Sequence, residues 1–231
     1  MTPEPRPDAP TPQAPPPKRP VSKRAILGAL FLVIAITVAL SLWLTITRNR
    51  RVADLTEASS NLRSLSFNLY SFDEEYGSFP DASTAVDVKD STGTPLKLGD
   101  SSSNQLFRQL IATVGKSEKI FWAKTSRSSE KPDDNIDSNA ALAPGECIYS
   151  YVAGLSSADT GTPVIMTPLI PGTTRFDPKP FGGKAVVFFV GDSILALPIE
   201  PDGRVLVNGR DLFDPAQPYW RGKTPDLKWP E

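Results

Sequence analysis

The run Ala25-Ile-Leu-Gly-Ala-Leu-Phe-Leu-Val-Ile-Ala-Ile-Thr-Val-Ala-Leu-Ser-Leu-Trp-Leu-Thr-Ile46 constrains this chain more than any other feature, because it carries no charge. About 22 residues at a helical rise of about 1.5 Å cover about 33 Å, enough to cross a hydrocarbon layer about 30 Å thick. Lys18, Arg19, Lys23 and Arg24 precede the run, and Arg48, Arg50 and Arg51 follow it. Trp43 stands near the exit, where an amphipathic ring suits a membrane interface. Thr37, Ser41 and Thr45 can return their hydroxyls to the preceding helical turn. A secretory signal has an apolar core of about 7–15 residues, shorter than this run, and no clear small-x-small cleavage site is present. The pattern predicts a transmembrane helix over 25–46, with a lipid bilayer as its partner.

Composition narrows what the remainder does. The chain has 231 residues and a formal net charge of −1. That length suits one tail, one anchor and one modest domain. No basic stripe with interleaved aromatics appears, so nucleic acid is not an expected partner. Histidine is absent, which excludes Ser-His and Cys-His nucleophilic catalysis and any His-ligated zinc. Carboxylate or Ser-Lys chemistry stays open. Cys147 is the single cysteine, so no internal disulfide forms; it reads as a small apolar residue at the start of a strand.

Residues 1–24 form a proline-rich tail with no apolar set to bury. Its expected state is disordered, with extended polyproline conformers, as a spacer or as a docking site for a proline-binding domain. After the anchor, over 47–80, apolar residues fall at Val52, Leu55, Leu62, Leu65, Leu69, Phe72 and Tyr76, and from Leu62 this set keeps helical three-four spacing. This predicts an amphipathic extension of the anchor helix, its stripe against a globular head over 81–231 and Arg63, Ser66, Asn68, Asp73 and Glu74 on the opposite side. A coiled coil would need more heptads. Gly77 is expected to cap the helix and Pro80 to stop it. A loop should follow through Pro95, then a helix from Ser102 with Gln105 completing a capping box. Leu106, Phe107, Leu110, Ile111 and Val114 give that helix an apolar face, and Gly115 ends it. Candidate strands are Lys119–Lys124, Cys147–Val152, Val164–Thr167, Ala185–Val190, Ile194–Pro198 and Val205–Val207. Turn signals at Gly191-Asp192-Ser193 and Pro201-Asp-Gly203 make the last three an expected antiparallel meander. Phe213, Tyr219, Trp220 and Trp229 should pin an irregular C-terminal segment to the body. The fold class expected is α+β.

Asn68-Leu-Tyr-Ser-Phe-Asp-Glu-Glu-Tyr-Gly-Ser-Phe-Pro80, after an unbroken membrane helix and before a loop, a short helix and a C-terminal sheet, resembles the type IV pilin-like family. It is most similar to the pseudopilins of type II secretion systems, many of which carry an aromatic–acidic stretch ending in Gly-x-Tyr-Pro or Gly-x-Phe-Pro there. The likeness runs over roughly Ala25 to Pro80, and beyond that rests on the order of elements. It implies a pilin-like head, and other pilin-like subunits or secretion-system components as partners. It also implies a bacterial inner-membrane location, with the N-terminus in the cytoplasm and the head in the periplasm. The chain departs from the family at Gly28, which is followed by Ala29-Leu-Phe-Leu-Val33 rather than Phe-Thr-Leu-x-Glu. A permanent anchor, uncleaved by prepilin peptidase, is therefore expected, in a structural or accessory role rather than an enzymatic one.

Three motifs invite chemistry. Asp133, Asn135 and Asp137 place side-chain oxygens at alternate positions, as a loop around calcium does, but Ser138 stands where glycine is expected and the closing glutamate is missing. A solvated acidic loop is the competing reading. Gly191-Asp192-Ser193-Ile194 looks like the nucleophile block of one esterase family, which needs a histidine this chain lacks; a turn explains it. Asp73, Glu74 and Glu75 occupy consecutive helical positions that diverge, so they cannot flank one glycosidic bond. The alternative to a structural role is a membrane-tethered periplasmic enzyme or ligand-binding domain without histidine chemistry.

Overall fold

A computed structural model describes residues 23–125, 130–191 and 193–231, so the proline-rich tail over 1–22 lies outside the described residues. α1 is one helix, Lys23–Tyr76, of 54 residues. Among the described residues it is the one helix long and apolar enough to cross a membrane. The chain divides into two compact units between Thr45 and Ile46.

In the first unit the apolar side chains are exposed around the helix, from Leu27 through Phe31 and Ile36 to Trp43. The three hydroxyls return to the turn before, as expected: Thr37 to the Val33 carbonyl at 2.8 Å, Ser41 to Thr37 at 2.8 Å and Thr45 to Ser41 at 2.9 Å. Those three hydroxyls are satisfied within the helix.

The second unit, Ile46–Glu231, is a mixed helical and antiparallel-sheet body. Ala58, Leu62, Leu65, Leu69 and Phe72 are fully buried, and they share a core with α3 (Ser103–Thr113) and one face of the sheet. Two buried tyrosines tie the sheet side to α1 and to the segment after it: Tyr149 Oη donates to the Ala58 carbonyl and Tyr151 Oη to the Pro80 carbonyl, both at 2.9 Å. Gly77 takes φ +79°, and its N–H caps the Asp73 carbonyl at 2.8 Å. The expected polar side of α1 needs one correction. Ser66 is buried, its hydroxyl turned back onto the Arg63 carbonyl, because a seryl side chain is short enough to sit at the margin of the stripe.

The main sheet has five strands in the order β4-β3-β2-β1-β7, antiparallel throughout. They are β1 Ser150–Ala153, β2 Pro163–Thr167, β3 Lys184–Phe189, β4 Ser193–Pro198 and β7 Asp226–Lys228. The connection from β3 to β4 contains Asp192, outside the described residues. β3 is a continuous apolar run because both faces of the sheet are covered. Val186 and Phe188 face the helices, whereas Ala185, Val187 and Phe189 face a second core built by the C-terminal segment. Phe213, Trp220 and Leu227 belong to that second core, with Tyr219 and Trp229 packed on it. The shift in register between Pro163 and Ile165 turns both Val164 and Ile165 to the helical side.

Four further expectations are corrected. Lys119–Lys124 is not a strand: Lys119–Phe121 is a 3₁₀ turn, and the burial of Phe121 and Ala123 gives alternation without a ladder. The segment expected as a loop contains α2, Thr84–Thr92, whose start is bound by the Asp81 carboxylate accepting the N–H groups of Ser83 (2.7 Å) and Thr84 (3.1 Å). Only Thr84 and Val88 of α2 are buried, too few for a readable stripe. The meander stops after β4. Ile199 and Val205 share one bridge, and β5 (Leu206–Val207) instead pairs with β6 (Arg210–Asp211) through Asn208-Gly209, both at positive φ, a hairpin turn. At α3, Ser102 Oγ accepts the Gln105 N–H at 3.2 Å as a cap should, but the Gln105 carboxamide accepts from the Ser101 N–H at 3.4 Å and donates to Glu231 rather than returning to the Ser102 N–H.

Candidate metal centre

The loop from Asp133 to Glu146 is fixed from two sides. Arg108 and Asn104 on α3 hold its carbonyls: Arg108 Nε donates to Ala141 at 2.7 Å and Asn104 Nδ2 to Leu142 at 2.9 Å. Two buried glutamates hold its N–H groups. Glu118 Oε1 accepts from Leu142 and Glu118 Oε2 from Asn135 at 3.1 Å, while Glu146 Oε2 accepts from Ala143 at 2.7 Å. Between these clamps Asp134 and Leu142 adopt left-handed φ of +66° and +50°, conformations that non-glycine residues keep only when neighbours over-determine them.

Glu118, Asp133 and Glu146 bring carboxylate oxygens within 4.8 Å of one another. A calcium ion at about 2.3–2.6 Å from each ligand can span such a gap. Glu118 is fully buried and Glu146 nearly so, and Asp133 is exposed. Burial pushes the Glu118 carboxyl above its ordinary range, and the charges of Glu146 and Asp133 add to the push against the N–H groups of Leu142 and Asn135. Lys119 pairs with Asp134 at 2.7 Å, and that bond, with those of Ser117 and the Glu118 N–H, lowers Asp134 to about 2. Each glutamate oxygen gives one lone pair to the loop, so lone pairs remain for a hard cation.

Of the three residues picked by spacing, Asp133 joins this cluster. Asn135 contributes its backbone N–H, to Asp133 Oδ1 at 2.9 Å and to Glu118, and Asp137 is exposed and outside the group. Glu118 and Glu146 were missed because they stand 28 positions apart and meet only through the fold. The one available signal was a glutamate on the edge of each of two apolar stretches, Ile120-Phe-Trp122 and Cys147-Ile-Tyr149.

A separate apolar pocket of about 310 Å³ lies beside Cys147, Thr167 and Pro168. Its titratable groups are Cys147, which burial pushes up to about 12, and Glu231, whose Oε1 accepts from Ser102 Oγ at 2.6 Å and from Gln105 Nε2 at 3.0 Å. That pair offers no matched acid and base. Compared with known protein families, with curated proteins and with solved structures, the chain matches none of them.

Proposed function

We propose that this chain is a single-pass membrane protein that carries a pilin-like head and serves as a structural or interaction component of a secretion or pilus-related assembly. One observation carries the reading: α1 is unbroken from Lys23 to Tyr76, exposed and uncharged through its apolar run and buried as the spine of a mixed body after it. An exposed apolar cylinder of that length needs lipid around it. The resemblance at Asn68–Pro80 supplies the family, and the absent Phe-Thr-Leu-x-Glu sequence keeps the anchor uncleaved. Phe67, 65% exposed on the outward side of α1, gives the helix an apolar contact outside its own core. Calcium at Glu118, Asp133 and Glu146 belongs to the same reading, as a cation that neutralises the buried carboxylates and fixes the loop.

Two measurements test it. Cysteines introduced at Pro10 and Ala140 report topology in intact cells: labelling at 140 from outside and at 10 only after lysis is expected, and the reverse pattern overturns the orientation. A photo-crosslinking residue at Phe67 should capture a membrane subunit of the assembly in cells. A chain that crosslinks to nothing and runs as a monomer in every detergent defeats the interaction role.

A further inference from the structure

On the face of the sheet away from α1, the C-terminal segment leaves a groove of about 330 Å³ lined by Thr160, Asn208, Gln217, Tyr219 and Arg221, among others. That is within the size range of small-ligand sites, about 300–1,000 Å³. A second cleft of about 150 Å³, with Asp159 and Lys223 on its walls, shares Tyr219 and Arg221 with the first.

Gln217 is 1% exposed. Its Nε2 donates to the carbonyls of Val207, Arg210 and Asp211 at 2.9, 3.2 and 3.2 Å, which fixes the carboxamide, while Oε1 accepts from no described residue. The carboxamide is thereby fixed, and its Oε1 remains an acceptor that a ligand hydroxyl can meet. Tyr219 and Trp220 both donate to the Leu212 carbonyl, at 3.0 and 2.8 Å, so the Tyr219 ring lines the groove with its polar tip already spent. Asn208 and Arg221 sit at φ +52° and +50°. Glycine would hold the Arg221 turn with less strain, yet that position carries a long side chain lining the groove, whereas Asn208 is the residue an Asn-Gly hairpin turn favours.

We propose that this groove binds a neutral saccharide, with a pyranose ring against Tyr219, a hydroxyl donating to Gln217 Oε1, and Asn208 and Arg221 as polar walls. The lining holds a single charged side chain, Arg221, which suits a neutral hydroxylated ligand. An extended peptide fits less well, because the Gly161 and Thr162 N–H groups are already spent on the Val190 and Asp159 carbonyls, leaving no ladder to join.

The test uses the full chain in lauryldimethylamine oxide, a detergent without a sugar headgroup, with maltotriose and triacetylchitotriose as probes. Saturation-transfer NMR and tryptophan fluorescence should show at least one trisaccharide binding. Arg221→Gly and Asn208→Gly should each weaken it about tenfold or more, without lowering the melting temperature by more than a few degrees, since glycine accepts the left-handed φ at both positions. Three results overturn the proposal: neither trisaccharide binds at about 10 mM; both glycine variants bind as the parent does; or inorganic phosphate displaces the sugar, which would make Arg221 the centre of an anion site. None of these outcomes bears on the membrane anchor or on the crosslink at Phe67.

Discussion

Leu65→Ala is the perturbation that most directly probes the role of α1. Leu65 is fully buried in the core shared by α1, α3 and the sheet. Truncation removes three carbons, at about 0.8 kcal/mol each for transfer, or about 2.4 kcal/mol. Helix backbone on one side and sheet on the other collapse only partly onto the gap, so a cavity term adds, and the expected cost is about 2–5 kcal/mol. Phe67, two positions on, is 65% exposed, and Phe67→Ala should stay within about 0.5 kcal/mol. The assay is urea unfolding of the full chain in detergent micelles, followed by the fluorescence of Trp122, Trp220 and Trp229, with Trp43 of the apolar run as a constant background. With a urea slope of about 2–3 kcal/mol/M for a body this size, Leu65→Ala should lower the midpoint by about 1–2 M. If Leu65→Ala and the equally buried Leu69→Ala both leave the midpoint within about 0.3 M of the parent, the stripe is not the spine of the head. The three-four face would then belong to a partner helix, and a coiled-coil dimer would be the architecture to test.

The acidic cluster gives a signed pH dependence. Glu118 is held above its ordinary range, so its contribution is full below about 4.3 and drains away as pH rises through the raised value, and urea midpoints should fall over that interval in the parent but not in Glu118→Gln. Asp134 has the opposite sign, its contribution present above the ordinary Asp range and lost as pH falls through about 2. Millimolar calcium at pH 7 should raise the melting temperature of the parent and leave that of the exposed-site variant Asp133→Asn unchanged; equal shifts in both would remove the cation from the cluster. Gly77→Ala should cost about 1–2 kcal/mol through conformation alone, since a Cβ at φ +79° would touch nothing within 4 Å, and a neutral result in the same urea assay would contradict that cap. Cys147, buried and pushed up to about 12, should react with a maleimide only after denaturation; rapid labelling of the folded chain would show that its surroundings open.

What could be read along the chain was whatever repeats locally. The uncharged run at Ala25–Ile46, the three-four spacing from Leu62 to Phe72, the glycine stop at Gly77 and the apolar run at β3 each depend on a period or a single cap, so they stand in the sequence before any contact forms. Asn208-Gly209 is equally local, because an Asn-Gly pair by itself favours a hairpin turn. α2 was not legible, because a helix that buries only Thr84 and Val88 leaves no stripe, and its start depends on where the Asp81 carboxylate points. The false strand at Lys119–Lys124 has the same cause in reverse: alternate residues are buried there, but no neighbouring strand takes up their backbone. The candidate sites belong to tertiary structure alone. Glu118 and Glu146 meet Asp133 because α3 and the loop after it are clamped together, and Gln217 is fixed by three carbonyls because the C-terminal segment folds back on itself. Charge proximity and such hydrogen bonds are properties of distance in space, and no periodicity along the chain encodes them.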